Sequence, residues 1–207
     1  MIKAVIFDVD GVLLDSFEAN LKFFQDLMAQ NGYAIPTRKE FRKIFHLTMM
    51  EAIKALTKAS ENEVKRIWEI GNSREVKYHV EMLRLPDGAK NVLEKLDKKY
   101  RLGIVTGRIR KSVFEAPQLA QLRHYFPVVV SYDDTVRHKP DPQPLIFASK
   151  KLELNPNECV YVGDAQSDIA AAHSAGMKVI IYSNGMYSDA DMCTSDFAKI
   201  PELIKAM

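Results

Sequence analysis

A stretch of mostly apolar residues, Ile2 to Phe7, stops abruptly at Asp8-Val9-Asp10-Gly11-Val12. The stretch reads as a buried parallel strand. Parallel strands need crossover connections, and both faces of such a sheet must be covered, so this start commits the chain to an α/β architecture. Two carboxylates one residue apart are costly to crowd together unless a cation or a transferred proton uses them. They also fall at the carboxyl end of the strand, where open α/β sheets bind ligands. Strand alternation puts residues i and i+2 on one face, so Asp8 and Asp10 are expected to converge on one small volume. Gly11 would let backbone amides approach an anion. A plain strand-to-loop transition could use the same five residues, and the segment alone leaves both readings open.

The rest of the chain supplies the sheet. Leu102–Val105, Val128–Val130, Cys159–Val162 and Lys178–Ile181 read as further apolar strands separated by helical segments. A short strand is expected near Met192–Cys193 and a closing helix over Phe197–Ala206. This alternation predicts a Rossmann-like parallel-sheet core with helices on both faces and right-handed crossovers. Residues 16–85 interrupt it and contain no convincing strand. Phe17 to Asn31 is amphipathic, and Gly32 suits its C-terminal cap. Thr37 with Glu40, and Ser60 with Glu63, have capping-box spacing. Phe41, Phe45 and Met49 are expected to pack helices against one another. Pro86-Asp87-Gly88 marks the return, with Asp87 as the expected cap of a helix over Ala89–Lys98. The predicted organisation is an α/β core of residues 1–15 and 86–207 with residues 16–85 as a helical insertion.

Three later segments add chemistry. Thr106-Gly107-Arg108 follows the second strand, and a hydroxyl, a flexible Gly and a helix start suit an anion such as phosphate. The same residues are also ordinary turn chemistry. In His138-Lys139-Pro140-Asp141-Pro142, Asp141 and Pro142 have the look of a helix cap and first position, which leaves Lys139 just outside the helix. Gly163-Asp164-Ala165-Gln166-Ser167-Asp168 follows a strand, and acidic residues there suggest a Mg²⁺ site built from oxygen ligands. Asp168 alone could equally be an N-terminal helix cap.

Composition narrows the class. A formal net charge of +2 over 207 residues argues against nucleic acid or membrane partners. Two cysteines, Cys159 and Cys193, make neither a disulfide framework nor a metal motif. Met1 leads straight into the Asp8 segment with no visible signal peptide, and no run approaches transmembrane length. A cytoplasmic enzyme, monomeric or a small homo-oligomer, is the expectation.

Taken together, the four segments resemble the haloacid dehalogenase superfamily in its phosphatase branch, over nearly the whole chain. Asp8-Val9-Asp10-Gly11-Val12 resembles the first motif, Thr106 the second, Lys139 the third, and Gly163-Asp164 through Asp168 the fourth. The resemblance implies a nucleophile at Asp8 and a general acid/base at Asp10. It implies Mg²⁺ held by Asp8, the Asp10 backbone carbonyl and Asp164, with Asp168 either binding the ion or orienting one of its waters. Phosphate would be bound by Thr106, Gly107, Lys139 and amides near Gly11. The insertion resembles the family's helical cap. Arg42 in that cap, and Arg108, are candidate substrate contacts. The implied reaction is Mg²⁺-dependent hydrolysis of a small phosphorylated metabolite through an aspartyl-phosphate, similar to phosphoglycolate phosphatases. A phosphomutase similar to β-phosphoglucomutase, an inorganic pyrophosphatase and a non-enzymatic binding module are the alternatives.

Overall fold

The strands β1 (Ala4–Phe7), β2 (Arg101–Val105), β3 (Val128–Val130), β4 (Cys159–Gly163), β5 (Lys178–Tyr182) and β6 (Met192–Thr194) form one sheet in the order β3-β2-β1-β4-β5-β6. The computed structural model describes residues 1–185 and 187–207. Every strand pair is parallel. The chain winds outward from β1 to β3, then returns to the other side of β1 with β4. That reversal makes the carboxyl ends of β1 and β4 the switch point, where a crevice opens in folds of this kind.

Strand alternation decides which residues feed which layer. Ala4, Ile6, Tyr161, Val179 and Ile181 are buried with Leu145 and Ala148 of α7 (Gln143–Lys151) and Ile169 and Ala172 of α8 (Gln166–Ala175). Phe7 faces the opposite way. Its ring stacks on Phe197 and meets Phe126 edge-on, with both centroids at 6.3 Å. Helices α5 (Ala89–Asp97) and α9 (Ile200–Lys205) pack against each other, and α5 also contacts β2. Between β2 and β3 lies a short α6 (Pro117–Ala120). No helix among the described residues is long and apolar enough to cross a membrane.

The chain splits into two compact units, Met1–Asp15 with Arg84–Met207, and Ser16–Leu83. The segments that lead out of and back into the first unit pair with each other, Asp15 N donating to Arg84 O at 2.8 Å. The second unit contains helices α1 (Phe17–Gln30), α2 (Arg38–Arg42), α3 (Met49–Thr57) and α4 (Glu61–Ser73). Gly32, at φ 74°, ends α1 in a Schellman motif, with Tyr33 N donating to Met28 O and Gly32 N to Ala29 O. Thr37 and Glu40 form the full reciprocal capping box, as do Thr48 and Glu51, a pair with the same spacing that the sequence reading passed over. Ser60 makes only half a box, because the Glu63 carboxylate turns to Arg66. Phe41 is fully buried among Phe24, Leu27 and Ile53, with Phe45 and Met49 packed at the edge of that cluster.

Two helix starts differ from expectation. Asp87 does not cap α5. The N-cap is Gly88, at φ 72°, a left-handed turn that Gly enters without a Cβ penalty. Helix α7 starts at Gln143 with Pro142 as its N-cap, one residue later than expected, and Asp141, just before the cap, accepts from Gln143 N through Oδ1 at 2.9 Å.

Candidate active site

Register brings the candidate residues together. Phe7 pairs with Ile104 on one side and Val162 on the other. Asp8 therefore lies one step beyond the paired strands, its N–H donating to Val162 O at 2.9 Å. Thr106 lies one step beyond β2, its N–H donating to Val130 O at 3.0 Å. Asp8 follows Ile6 on the face that Tyr161 also occupies.

Lys139 is the hub. Its Nζ donates to Asp8 Oδ2 at 2.5 Å, Asp168 Oδ1 at 2.7 Å and the Tyr161 hydroxyl at 2.8 Å. Three donors thus meet three acceptors. Tyr161 passes the chain on, its hydroxyl donating to Val105 O at 3.2 Å. Burial works against the ammonium, but Asp168 and Asp8 outweigh it and hold the Lys139 pKa well above its usual value. Lys139 is therefore a fixed cation.

Asp168 serves two purposes at once. Its Oδ2 accepts from the N–H groups of Asp164 (2.9 Å) and Ala165 (3.0 Å), closing the loop before α8, while Oδ1 takes Lys139. Asp168 thus takes part in capping from the third position of α8, behind the N-cap Ala165, and the same carboxylate reaches Lys139.

Charge does not balance here. Carboxylate oxygens of Asp8, Asp164 and Asp168 lie within 4.8 Å of one another. Burial pushes the Asp8 pKa up to about 6, with Lys139 pulling down and Asp168 pushing up. Asp164 is held well above the usual carboxylate range by burial first, then by Asp168 and Asp8. Its carboxylate has no hydrogen-bond or ion-pair partner among the described residues; only its backbone N–H and carbonyl are engaged, the latter by Tyr187. One ammonium faces three carboxylates. An all-oxygen set with a negative surplus fits a hard divalent cation such as Mg²⁺. Asp8 accepts two hydrogen bonds and Asp168 three, and the Asp164 carboxylate accepts none among the described residues, so Asp164 and then Asp8 have the most lone pairs left to offer.

Two glycines allow this crowding. A Cβ on Gly163 would lie 2.4 Å from the Asp168 Cβ. A Cβ on Gly11 would lie 2.0 Å from Asp164 Oδ2, and Gly11 has φ +76°. Gly11→Ala is accordingly expected to cost about 1–2 kcal/mol in left-handed backbone strain and to push the Asp164 carboxylate aside. Thermal melting and Mg²⁺ titration calorimetry should show a lower melting temperature and weaker metal binding. Wild-type values for both would contradict the role given to this contact.

Asp10 departs from expectation. Pairing of β1 stops at Phe7, and residues 9–14 form a turn in which Leu14 N donates to Val9 O at 2.8 Å. Asp10 is not one of the three carboxylates within 4.8 Å of one another, yet it lies near enough for its charge to help raise both Asp8 and Asp164. Its carboxylate is held by Arg108, Nε to Oδ2 at 2.8 Å and Nη2 to Oδ1 at 2.7 Å. Arg108, a candidate substrate contact, is buried, with Nε and Nη2 on Asp10 and Nη1 on Ser112 O. The Thr106 hydroxyl oxygen accepts from Arg108 N at 3.2 Å. Nothing lies within 4 Å of where a Gly107 side chain would begin, so the backbone there is open. Arg42 lies in the helical unit, its guanidinium 5.0 Å from the centre of the Phe17 ring. Sequence reasoning missed Tyr161. Inside an apolar strand its spacing is that of a core residue, and nothing local marks its hydroxyl.

The structure is thus a doubly wound parallel sheet with an acidic cluster across its β1/β4 switch point. The family described as haloacid dehalogenase-like hydrolase matches residues 5–182, and the chain belongs to that family. Among curated relatives, the pyrophosphatase PpaX of Bacillus cereus (strain G9842) is 31% identical over 185 residues, covering 88% of this chain and 83% of that protein. Among solved structures, CbbY from Rhodobacter sphaeroides in complex with phosphate superposes with a TM-score of 0.80 at 22% identity, covering 97% of this chain and 96% of that one. The β-phosphoglucomutase (pgmB) from Clostridium difficile gives 0.82 at 22% identity, covering 100% and 96%. These two structural likenesses show a shared fold.

Proposed function

We propose that the chain is a Mg²⁺-dependent phosphatase that cleaves a small phosphorylated metabolite through an aspartyl-phosphate on Asp8. The observation that carries this reading is the Asp164 carboxylate beside Asp8, which has no hydrogen-bond partner among the described residues and stands in a cluster where those residues supply a single ammonium. Asp8 and Asp164, with the Asp10 backbone carbonyl, would hold the ion. When bound, it would screen the phosphoryl oxygens that otherwise repel an anionic nucleophile.

The residues then have the following tasks. Lys139 fixes one oxygen of Asp8 and neutralises charge on the transferring group. Asp8 attacks phosphorus, forming an O–P bond as the ester O–P bond breaks. Asp10, once it has taken a proton from solvent, gives that proton to the departing oxygen and then takes one from the water that attacks the aspartyl-phosphate. The Thr106 hydroxyl accepts from Arg108 N and keeps its own proton for a phosphoryl oxygen. The open backbone at Gly107 offers an amide donor. The helical unit Ser16–Leu83 is proposed to set substrate choice, with Arg42 as its candidate residue.

The test is phosphate release from metal-stripped protein, with and without added Mg²⁺, across pyrophosphate, phosphoglycolate, hexose phosphates and p-nitrophenyl phosphate. Mg²⁺ should restore activity and Ca²⁺ should suppress it, because Ca²⁺ is larger, takes more oxygens and would draw Asp8 out of line. Full turnover in excess chelator, or no turnover of any substrate by folded protein, would overturn the reading. Pyrophosphate heads the panel because curated relatives are named for it. Conversion of one sugar phosphate into another without release of phosphate would indicate a mutase instead.

A further inference from the structure

Arg108 spends its guanidinium on the residue proposed as the acid. Both oxygens of Asp10 accept from it, and the remaining arm, Nη1, donates to Ser112 O at 3.2 Å. The Arg108 side chain is 8% exposed and Asp10 is 27% exposed, so the pair is largely shielded from solvent. Both Asp10 oxygens therefore accept from one planar fork, which fixes the plane of the carboxylate. The backbone of Arg108 is pinned separately, its N–H donating to Thr106 Oγ1 and its carbonyl accepting from Tyr132 N at 2.8 Å. The side chain can therefore change partner without moving the loop that carries Thr106.

We propose that Arg108 is a positioning residue that parks Asp10, and that a second anionic group on the substrate, adjacent to the scissile phosphate, draws the guanidinium away and frees Asp10. A guanidinium exchanges one carboxylate for another, or for a phosphate, with the same bidentate geometry. A neutral substituent offers no such exchange, so Arg108 stays on Asp10, because parting them would leave buried charges unpaired. Arg108 is two residues from Thr106, so an anion bonded directly to the transferred group falls within its reach. The substrate class this favours is a diphosphate or a short phosphorylated carboxylate over an alkyl monoester with a neutral remainder. The proposal rests on the phosphatase reading above and refines it.

The experiment has two arms. In the first, kcat/KM is measured for pyrophosphate and phosphoglycolate against 2-hydroxyethyl phosphate, which lacks the second anion, in wild type, Arg108→Met and Arg108→Lys. Wild type should prefer the doubly anionic substrates. Arg108→Met should cut that preference by about tenfold or more. The change should come from a higher kcat on 2-hydroxyethyl phosphate together with a higher KM for the anionic pair. Arg108→Lys, with a charge but no fork, should recover only part of the preference. A preference in Arg108→Met that rises, or stays within about twofold of wild type, overturns the proposal. The second arm needs neither turnover nor a variant that folds. In metal-free wild type, the Arg108 Nε–H resonance should shift with methylenediphosphonate and not with methylphosphonate. Equal shifts, or none, overturn the proposal. Wild type that releases phosphate from no substrate would overturn the phosphatase reading, and the resonance arm would still decide the fate of Arg108.

Discussion

Asp8→Asn is expected to lower phosphate release by about 10⁴-fold or more while the protein stays folded. An amide is a far poorer nucleophile than a carboxylate and a weaker ligand for a hard cation. The fold should survive because two effects oppose each other. Asp8 Oδ1 accepts from Val9 N at 2.6 Å and Oδ2 from Lys139 at 2.5 Å, so an amide turns its NH₂ toward one donor or the other. Such an unmet contact costs about 1–3 kcal/mol. In return the substitution removes a buried negative charge, whose pKa is already driven up to about 6 by burial. Melting curves should then lie close to wild type, and beryllofluoride should form a stable adduct with wild type and none with the variant. Near-wild-type turnover by Asp8→Asn would sink the covalent mechanism.

The parts of this site that were legible in the sequence are those set by strand ends. Asp8, Thr106 and Asp164 each follow an apolar strand by one residue, so a parallel sheet gathers them at one edge wherever the strands fall in the order. Lys139 was legible only through its company, since a lone lysine outside a helix carries no local signal. Contacts that depend on how the chain turns after a strand were hidden. Asp10 was placed by strand alternation, but β1 ends at Phe7, so the turn over residues 9–14 and not the strand period positions its carboxylate against Arg108. Its partner Arg108 is 98 positions away, and no periodicity links the two. Tyr161 was hidden for the opposite reason, since it keeps strand period and reads as core. At α5 the cap passed from Asp87 to Gly88 because the turn needs a positive φ, a demand the Pro-Asp-Gly order shows only when the turn geometry is known. Asp168 could not be resolved between cap and site because one carboxylate oxygen closes the start of α8 while the other takes Lys139.

Lys139→Met should have the largest effect on stability, and that effect should depend on pH. The ammonium is 13% exposed and pairs with Asp8 and Asp168, whose side chains are 11% and 1% exposed. Removing one side of a buried ion pair costs about 3–5 kcal/mol, which for a chain of this length lowers the melting temperature by roughly 10 °C. The pH dependence follows from the carboxylates left behind. The Asp8 pKa is raised from the usual 3.8 to about 6, and Asp164 is raised as well. Between the unfolded and folded values such groups bind more protons in the folded state, so their contribution to stability is complete below the unfolded value and lost as pH rises through the folded one. Without Lys139 both are pushed higher still, because a charge that lowered them is gone. The gap between Lys139→Met and wild type should therefore be widest above about pH 7 and shrink as pH falls through about 6 toward 4, where protonation of Asp8 and Asp164 removes the surplus charge. Mg²⁺ should narrow the gap at neutral pH by supplying positive charge to the same oxygens. Urea melts of metal-free protein across this range would measure it, with m-values checked to hold between variants. A gap that is constant with pH, or that widens in acid, would mean Lys139 stabilises the fold through packing and its contact with Tyr161, and does not act by neutralising the acidic cluster.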